Sequence, residues 1–276
     1  MGARREAREA LAAAGLAPRR RWGQNFLCDP AVARRIVETA EIGPRTIALE
    51  IGPGLGALTD ELVARAGRLY LIEIDPGLAD RLAQRYADNP RVRVVTGDVL
   101  ALPLDDVVRD ERVTVVANLP YNIASPILFR LLDLRARFPR AVVMLQREMA
   151  TRLVARPGGA DYGVTSVLLQ TYAEVRIAFG VSRRSFLPRP DVDSAVVDVH
   201  WSAAPRVDVG DAGVFRDVVR AAFGQRRKML RNALATLAAA RGTTATAVLE
   251  RAGIAPTARA ETLDLEAFAR LARALG

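Results

Sequence analysis

The sequence contains very little cysteine and histidine. Its 276 residues include one cysteine, Cys28, and one histidine, His200. These counts exclude disulfides, zinc sites built from Cys/His clusters, and every Ser-His or Cys-His mechanism except one that uses His200. We therefore expect no metal site, and we expect the chemistry to be carried by other residues or by a cofactor.

Long apolar runs are also missing. No uninterrupted apolar stretch approaches the roughly 18 residues that cross a bilayer, so we expect no membrane partner. A single cysteine without a partner fits a reducing, cytoplasmic location. The composition is 50% hydrophobic and 26% charged, which excludes a disordered chain and predicts a globular protein of more than one domain.

Positive charge is in excess and is unevenly distributed. The formal net charge is +9, with +4 in residues 1–22, 0 in residues 23–182 and +5 in residues 183–276. Residues 215–231 hold six basic residues and one acidic residue. A neutral centre between two basic ends is typical of a catalytic body with arms that bind a phosphate backbone, although a solvated helix face explains such a charge run equally well.

Apolar stretches of strand length alternate with helical patterns through the first two thirds of the chain. This alternation is typical of βαβ units, so it predicts an α/β fold with a Rossmann-like parallel sheet and helices on both faces. Strands are expected at residues 46–51, 68–74, 91–97, 112–119, 140–146, 173–181 and 193–201.

From about residue 210 the pattern becomes purely helical, and one of the expected helices starts at Gln225. We predict a domain boundary near residues 204–209. The expected parts are a basic N-terminal arm over 1–22, a catalytic domain over 23–205, and a small all-helical, RNA-binding C-terminal domain over 206–276. Nothing in the sequence requires more than a monomer.

A glycine-rich turn follows the first predicted strand. Gly52, Gly54 and Gly56 have the spacing G-x-G-x-G, which differs from the G-x-G-x-x-G of dinucleotide binders. Pro53 removes a backbone donor that a pyrophosphate would use. The turn therefore favours close approach of a nucleoside ligand without phosphates.

Acidic residues end the next two predicted strands. Glu73 is placed to accept the ribose hydroxyls of such a ligand, and Asp98 is placed to accept the exocyclic amino group of an adenine. Together with the glycine turn, these features at successive strand ends predict a site for S-adenosylmethionine.

The fourth predicted strand ends in Asn118-Leu119-Pro120-Tyr121. The N6 lone pair of adenine is delocalised into the ring, so an enzyme that methylates N6 must hold the amine and aim its lone pair. The Asn118 side-chain oxygen and the Leu119 carbonyl are two suitable acceptors, and Tyr121 offers a ring for stacking. The target adenine must be single-stranded, in a loop or flipped out to reach them.

A proline-rich loop contains one further aromatic candidate. Phe186 is expected either to stack on the opposite face of the target base or to plug the domain as a core residue. His200 lies beside Trp201 on an alternating strand, and we expect a structural role for it.

Seven short motifs occur in order along nearly the whole chain: Gly23-Gln24-Asn25-Phe26-Leu27, Glu50 to Gly56, Glu73-Ile74-Asp75, Gly97-Asp98, Asn118 to Ile123, Phe186-x-Pro188-x-Pro190-x-Val192-x-Ser194, and Gln225-Arg226-Arg227-Lys228 with Leu230-Arg231-Asn232. They resemble the motifs of the ribosomal RNA adenine N6,N6-dimethyltransferases, most closely the bacterial small-subunit type. The resemblance implies a class I methyltransferase domain with a small helical C-terminal domain, and S-adenosylmethionine as cofactor.

The resemblance also implies the substrate and the residues that act on it. In this family, two adjacent adenosines in the 3′-terminal hairpin loop of 16S rRNA are dimethylated in the immature 30S subunit, and the protein takes part in late subunit assembly. By motif position, Asn25 and Leu27 line the methionine end of the cofactor, Gly52 and Gly54 lie at the cofactor, Glu73 binds ribose and Asp98 binds adenine. Asn118 borders the cofactor and, with Tyr121, handles the target base, whereas the RNA contacts fall on Arg226, Arg227, Lys228 and Arg231.

Two alternatives stay open. The 23S rRNA adenine dimethyltransferases that confer macrolide resistance share the sheet motifs, but Leu119 and the segment from Gln225 to Asn232 favour the small-subunit type. The other alternative is a non-catalytic RNA-binding assembly factor, which the intact motif from Asn118 to Tyr121 argues against.

Overall fold

The structure is a computed structural model that describes residues 2–13, 17–19, 23–109, 112–225 and 228–276. Its contacts divide the chain into two compact units. One comprises Met1–Ala150 and Arg176–Trp201, and the other comprises Thr151–Val175 and Ser202–Gly276. Within the described ranges, none of the helices combines the length and the apolar character that a membrane crossing requires.

In the part of the chain that the structure describes, nine strands form two sheets. The strands are β1 (Phe26–Leu27), β2 (Ile47–Ile51), β3 (Arg68–Glu73), β4 (Val92–Thr96), β5 (Thr114–Asn118), β6 (Arg140–Gln146), β7 (Ala173–Val181), β8 (Phe186–Leu187) and β9 (Ser194–Trp201). The main sheet has the order β4-β3-β2-β5-β6-β9-β7, and β1 pairs with β8 in a small antiparallel ladder. The five neighbouring strands β4, β3, β2, β5 and β6 run parallel to one another, whereas β9 is antiparallel to β6.

The seven strands predicted for the main sheet are confirmed, each within two residues at either end. They were recognisable because a parallel strand covered on both faces is a nearly continuous apolar run. In β2, for example, four of the five residues are buried. The predicted α/β class is confirmed as well.

Two helices of the first half begin at side-chain caps. Asp29 accepts hydrogen bonds from Ala31 N and Val32 N at the start of one helix, and Asp75 accepts one from Gly77 N at the start of another. A proline follows each cap, where its missing N–H costs nothing. The helices are α1 (Gly2–Ala13), α2 (Pro30–Thr39), α3 (Ala57–Val63), α4 (Pro76–Arg85), α5 (Leu104–Val108), α6 (Ala124–Asp133) and α7 (Arg147–Val154).

The second unit is helical. Its core contains Phe215 and Phe268, both fully buried, on two helices that pack against each other. The helices of this part of the chain are α8 (Val164–Tyr172), α9 (Ala212–Gly224), α10 (Leu230–Ala233), α11 (Ala235–Ala239), α12 (Ala245–Arg251) and α13 (Leu265–Leu275).

Two details differ from the sequence-based expectations. The contacts place the boundary after Trp201 and assign residues 151–175 to the second unit, because the apolar helix α8 packs on α9 and α13. The helix expected from Gln225 begins instead at Leu230. The chain bends at Lys228, and Met229, the residue before the helix, has extended backbone.

The order of the strands determines where a ligand can bind. The chain moves outward from β2 through β3 to β4, then returns to the other side of β2 and continues through β5 to β6. The carboxyl ends of β2 and β5 are therefore adjacent at the point where the direction of winding changes. Ligands of open α/β sheets bind in the crevice at this point.

Candidate active site

A cleft opens at the carboxyl ends of β2, β3 and β5. Nine of the residues predicted from the sequence line it together: Asn25, Leu27, Gly52, Gly54, Glu73, Asn118, Leu119, Pro120 and Tyr121.

The glycine turn after β2 forms one wall of the cleft. Gly52 and Gly54 have φ values of +67° and +57°, a region that side chains with a Cβ rarely adopt. A Cβ on Gly54 would also lie only 3.0 Å from Cδ1 of Phe26, which lines the cleft as well. Any residue other than glycine would therefore strain this wall and press on the ring of Phe26.

Glu73 lies at the end of β3 and is 3% exposed. Its Oε2 accepts a hydrogen bond from Gly54 N (2.9 Å) and its Oε1 accepts one from Asp75 N (3.0 Å). Burial raises the pKa of Glu73, although these backbone donors oppose the shift. Each carboxylate oxygen has a second lone pair, so Glu73 can still accept hydroxyl hydrogens of a ligand.

Glu50 is a second buried acid in the lining, and sequence reasoning gave it no role of its own. It is 1% exposed, and its Oε2 accepts a hydrogen bond from Thr59 Oγ1 at 2.7 Å. Burial raises the pKa of Glu50 to about 8, and the nearby charge of Glu73 adds to the shift. Glu50 is therefore mostly protonated at neutral pH and can donate a hydrogen bond into the cleft.

The side-chain amide of Asn118 is held in one orientation. Its Nδ2 donates to the backbone carbonyl of Asn25 at 3.0 Å, so Oδ1 remains as the acceptor of the group. Leu119 N donates to Met144 O at 3.0 Å, which fixes the peptide that follows. Within the described residues, no donor of the chain bonds to Asn118 Oδ1 or to the Leu119 carbonyl oxygen.

The ring of Tyr121 is fixed by a hydrogen bond at its far end. Its hydroxyl lies 2.7 Å from Ser194 Oγ at the start of β9. Burial raises the pKa of Tyr121, so the phenol stays neutral at physiological pH. This partner lies 73 residues further along the chain, and no sequence pattern pointed to it.

The segment that precedes α2 connects the two sides of the cleft. Gln24 Nε2 lies 3.5 Å from Asp75 Oδ2, and Gln24 Oε1 accepts a hydrogen bond from Arg19 N at 2.8 Å. Asn25, next in sequence, holds Asn118. The motif from Gly23 to Leu27 was recognised in the sequence, but these contacts were not predictable from it.

Two predicted site residues are not brought into the lining of the cleft. Asp98 is exposed after β4, and its Oδ1 accepts a hydrogen bond from Leu100 N at 2.8 Å. Phe186 is fully buried in the hydrophobic core behind the β1/β8 ladder. Its burial contradicts stacking on a base and fits the alternative expectation, a core plug.

The predicted RNA contacts are described only in part. Lys228 and Arg231 are exposed at the start of the region that contains α10. Arg226 and Arg227 lie outside the described residues.

Comparisons with known proteins identify the family of the chain. Residues 15–275 match the family model described as ribosomal RNA adenine dimethylase. Ribosomal RNA small subunit methyltransferase A of Moorella thermoacetica is 46% identical over 95% of this chain and 93% of its own.

Two solved structures share the fold over most of the chain. A dimethyladenosine transferase from Plasmodium falciparum is 25% identical with a TM-score of 0.74, covering 89% of this chain and 95% of that one. The 23S rRNA methyltransferase ErmE is 30% identical with a TM-score of 0.67, covering 91% of this chain and 99% of that one. The chain therefore belongs to the ribosomal RNA adenine dimethylase family and is an rRNA methyltransferase.

Proposed function

We propose that the protein transfers methyl groups from S-adenosylmethionine to N6 of two adjacent adenosines in the 3′-terminal hairpin loop of 16S rRNA, dimethylating each. The observation that carries this proposal is the orientation of Asn118. Its Nδ2 is bonded to Asn25 O, which leaves Oδ1 as an acceptor on a residue that lines the cleft.

The lining of the cleft suits S-adenosylmethionine. The buried carboxylate of Glu73 is available to ribose hydroxyls, and the turn at Gly52 and Gly54 admits a ligand close to the backbone. Asn25 and Leu27 form the end where the methionine portion would lie, and Asp98 at the next strand end would serve the adenine amino group. When bound, S-adenosylmethionine would supply the methyl group from its sulfonium. The rest of the cofactor would leave as a neutral thioether.

The chain activates the amine by holding it rather than by removing a proton first. An exocyclic N6 amine has two N–H hydrogens. Asn118 Oδ1 and the Leu119 carbonyl can accept one each, which favours a tetrahedral nitrogen and exposes its lone pair for attack. The proton lost on transfer leaves from a cationic ammonium product, so no histidine is required at the site.

Tyr121 positions the base. Its ring lines the cleft and its hydroxyl is held by Ser194, so the ring offers a fixed surface for stacking. Stacking on an aromatic side chain stabilises a bound base by roughly 1–3 kcal/mol. Pro120 stiffens the turn between Leu119 and Tyr121, since its ring restricts φ.

RNA binding is assigned to the two basic segments of the sequence. We assign this role to the basic residues of the N-terminal arm over 1–22 and to Arg226, Arg227, Lys228 and Arg231. A phosphate backbone bound in this way releases counterions, so affinity should fall steeply with salt.

The small-subunit substrate is favoured over the large-subunit alternative by similarity. The relative named ribosomal RNA small subunit methyltransferase A is 46% identical, whereas the 23S rRNA methyltransferase ErmE is 30% identical. As the motif resemblance implies, we also propose that the protein acts on the immature 30S subunit and takes part in its late assembly, and the single cysteine suits a cytoplasmic location.

The test uses undermethylated small and large ribosomal subunits in separate reactions with labelled S-adenosylmethionine. We expect label only in the small subunit, on two adjacent adenosines of the 3′-terminal hairpin of 16S rRNA. Label confined to the large subunit would establish the resistance-type activity instead. Binding to the small subunit without label on either would support a non-catalytic assembly factor.

A further inference from the structure

The loop between β8 and β9, residues 188–193, presents an apolar side chain to solvent. Val192 is 45% exposed. Among the described residues, the only other exposed large hydrophobic side chain is Ile177 on β7, at 40%. An isolated exposed valine needs no explanation by itself, so the surroundings of Val192 decide what it can do.

The loop is held rigidly at its base. Arg183 N donates to Asp193 Oδ1 (2.9 Å), Arg183 Nη1 donates to Asp191 O (2.8 Å), and Arg147 N donates to Asp193 O (3.0 Å). Pro188 and Pro190 restrict the backbone between these anchors. Val192 is therefore presented in a fixed position and would lose little conformational entropy on contact with a partner.

The loop also lies beside the cleft. Ser194, whose Oγ is 2.7 Å from the Tyr121 hydroxyl, is two residues from Val192. Two residues of extended chain span at most about 7 Å, so the Val192 backbone lies within that distance of the residue that holds the Tyr121 hydroxyl. This position suits contact with a nucleotide next to a base on Tyr121.

The charge of this region suits an anionic partner. Three arginines, Arg183, Arg184 and Arg189, occur within seven residues, and all three are exposed. The nearby acids are Asp191 and Asp193, and a carboxylate oxygen of Asp193 already accepts a backbone hydrogen bond. Cations thus outnumber acids around an apolar contact point.

We propose that the loop at residues 188–193 is a binding surface for the nucleotide next to the target adenosine, with Val192 against its base and Arg189 facing its phosphate. The proposal rests on the proposed function, since the neighbouring base must be that of an RNA whose adenine lies in the cleft. In this role the loop holds the flanking nucleotide apart from the target adenosine.

Val192→Ser tests the apolar contact, and Ile177→Ser is its matched control. We expect Val192→Ser to raise the KM for the undermethylated small subunit about fivefold, a change of about 1 kcal/mol. Its S-adenosylmethionine affinity and thermal stability should equal those of the native chain. Ile177→Ser should leave the KM unchanged. Equal effects of the two variants would overturn the proposal.

Arg189→Gln tests the phosphate contact, with Arg45→Gln as control. Arg45 is exposed just before β2, at the opposite end of that strand from the cleft. Each lost phosphate contact should reduce the slope of log affinity against log salt by about 0.7–0.9. An unchanged slope for Arg189→Gln would remove the phosphate from the proposal.

A photo-crosslinking residue at position 192 identifies the partner directly, with the same residue at position 177 as control. We expect crosslinks from position 192 to 16S rRNA within a few nucleotides of the modified adenosines. Crosslinks to a ribosomal protein, or none above the control, would overturn the proposal. The native chain is assayed for methylation alongside, so that failure of the loop assignment and failure of the proposed function give different results.

Discussion

Buried carboxylates occur at both ends of the central sheet, and their surroundings differ. At the carboxyl ends of the parallel strands, Glu50 and Glu73 are 1% and 3% exposed, and no arginine or lysine of the described residues pairs with them. At the amino end, Asp198 is 0% exposed and bonds to Arg140 (3.1 and 3.2 Å) and Arg176 (2.6 Å).

The pKa shifts follow this difference. Burial acts in the same direction on all three acids, because it penalises the charged form. The two arginines more than offset it at Asp198, whose pKa is lowered, whereas the pKa values of Glu50 and Glu73 are raised. Burial alone therefore does not set the direction of the pKa shift, whereas hydrogen-bonded arginines lower the pKa at Asp198.

The paired end has a recognisable structural task. Arg140 is the first residue of β6, and its Nη2 also donates to Thr39 O at the end of α2 (2.6 Å). His200 Nε2 lies 3.1 Å from Asp198 Oδ1. The cluster therefore fastens α2 and β9 to β6, far along the strands from the cleft.

The largest effect on stability is expected at the paired end. Asp198→Ala leaves Arg140 with its side chain 13% exposed and without its main carboxylate, which should lower the free energy of unfolding by about 3 kcal/mol or more. Urea denaturation measures this. Glu41→Ala removes only a 74% exposed partner of the same arginine and should cost less than about 1 kcal/mol. Equal losses would mean that Asp198 is not the centre of the cluster.

Asn118→Ala should affect the chemical step rather than the fold. Removing one group that acts on the reacting centre typically lowers kcat by about 10²–10³-fold. We expect this loss in single-turnover methylation, with cofactor and RNA affinity nearly unchanged. Native single-turnover rates would remove Asn118 from the mechanism.

Glu73→Ala should weaken both cofactor binding and the fold around the cleft. Loss of a charged acceptor for ribose hydroxyls should reduce S-adenosylmethionine affinity roughly tenfold to a hundredfold, measured by calorimetry. The free energy of unfolding should fall by about 1–3 kcal/mol, because Gly54 N and Asp75 N lose their acceptor. Lower stability with native affinity would make Glu73 a structural acid like Asp198 and would remove it from the ribose site.

Glu50→Gln tests whether the acids at the two ends of the sheet give the free energy of unfolding a different pH dependence. Glu50 ionises near 4.5 in the unfolded chain and near 8 in the folded one, so the folded state binds the extra proton between these values. Stability of the native chain should therefore fall as pH rises through this window, by about 1.4 kcal/mol per pH unit at most. The variant should lack this fall when unfolding is compared at pH 5 and pH 8. Asp198, with its lowered pKa, should instead lose its contribution only in acid.

The smallest effect is expected at an exposed cation, Lys228, and concerns RNA binding. Lys228 is exposed and has no ion-pair partner within the described residues, unlike Arg140. Lys228→Ala should reduce the salt dependence of RNA binding by about one contact, a slope change near 0.9, while stability stays constant. The triple replacement of Arg226, Arg227 and Lys228 should give a larger change in the same direction. No change in the triple variant would show that the basic run is only a solvated surface.

The sheet was predictable from the sequence because each strand is specified by its own residues. Period and hydrophobicity located all seven strands of the main sheet, and the strand ends located Glu73 and Asn118. Contacts between distant segments could not be predicted, because they correspond to no local sequence pattern. The bond from Asn118 to Asn25 spans 93 residues, and that from Tyr121 to Ser194 spans 73.

Phe186 and Asp198 show why local patterns are ambiguous. An aromatic residue in a proline-rich loop fits a ligand contact as well as a core plug, and only the β1/β8 pairing decides between them. Asp198 lies on an alternating strand where a polar residue normally faces solvent, yet it is fully buried because two arginines from other strands reach it. In both cases the deciding partner is remote in sequence.

The fixed amide of Asn118 has a consequence for how the reaction ends. Because one N–H of Nδ2 is bonded to Asn25 O, Oδ1 is left as an acceptor of hydrogen bonds. In the proposed reaction, an unmodified adenine offers two N–H groups to the two acceptors, and a monomethylated one still offers one. A dimethylated adenine offers none. Binding of the amine at these two acceptors would thus depend on its remaining N–H groups. After the second transfer no N–H group is left, so methylation would stop and the product would be released.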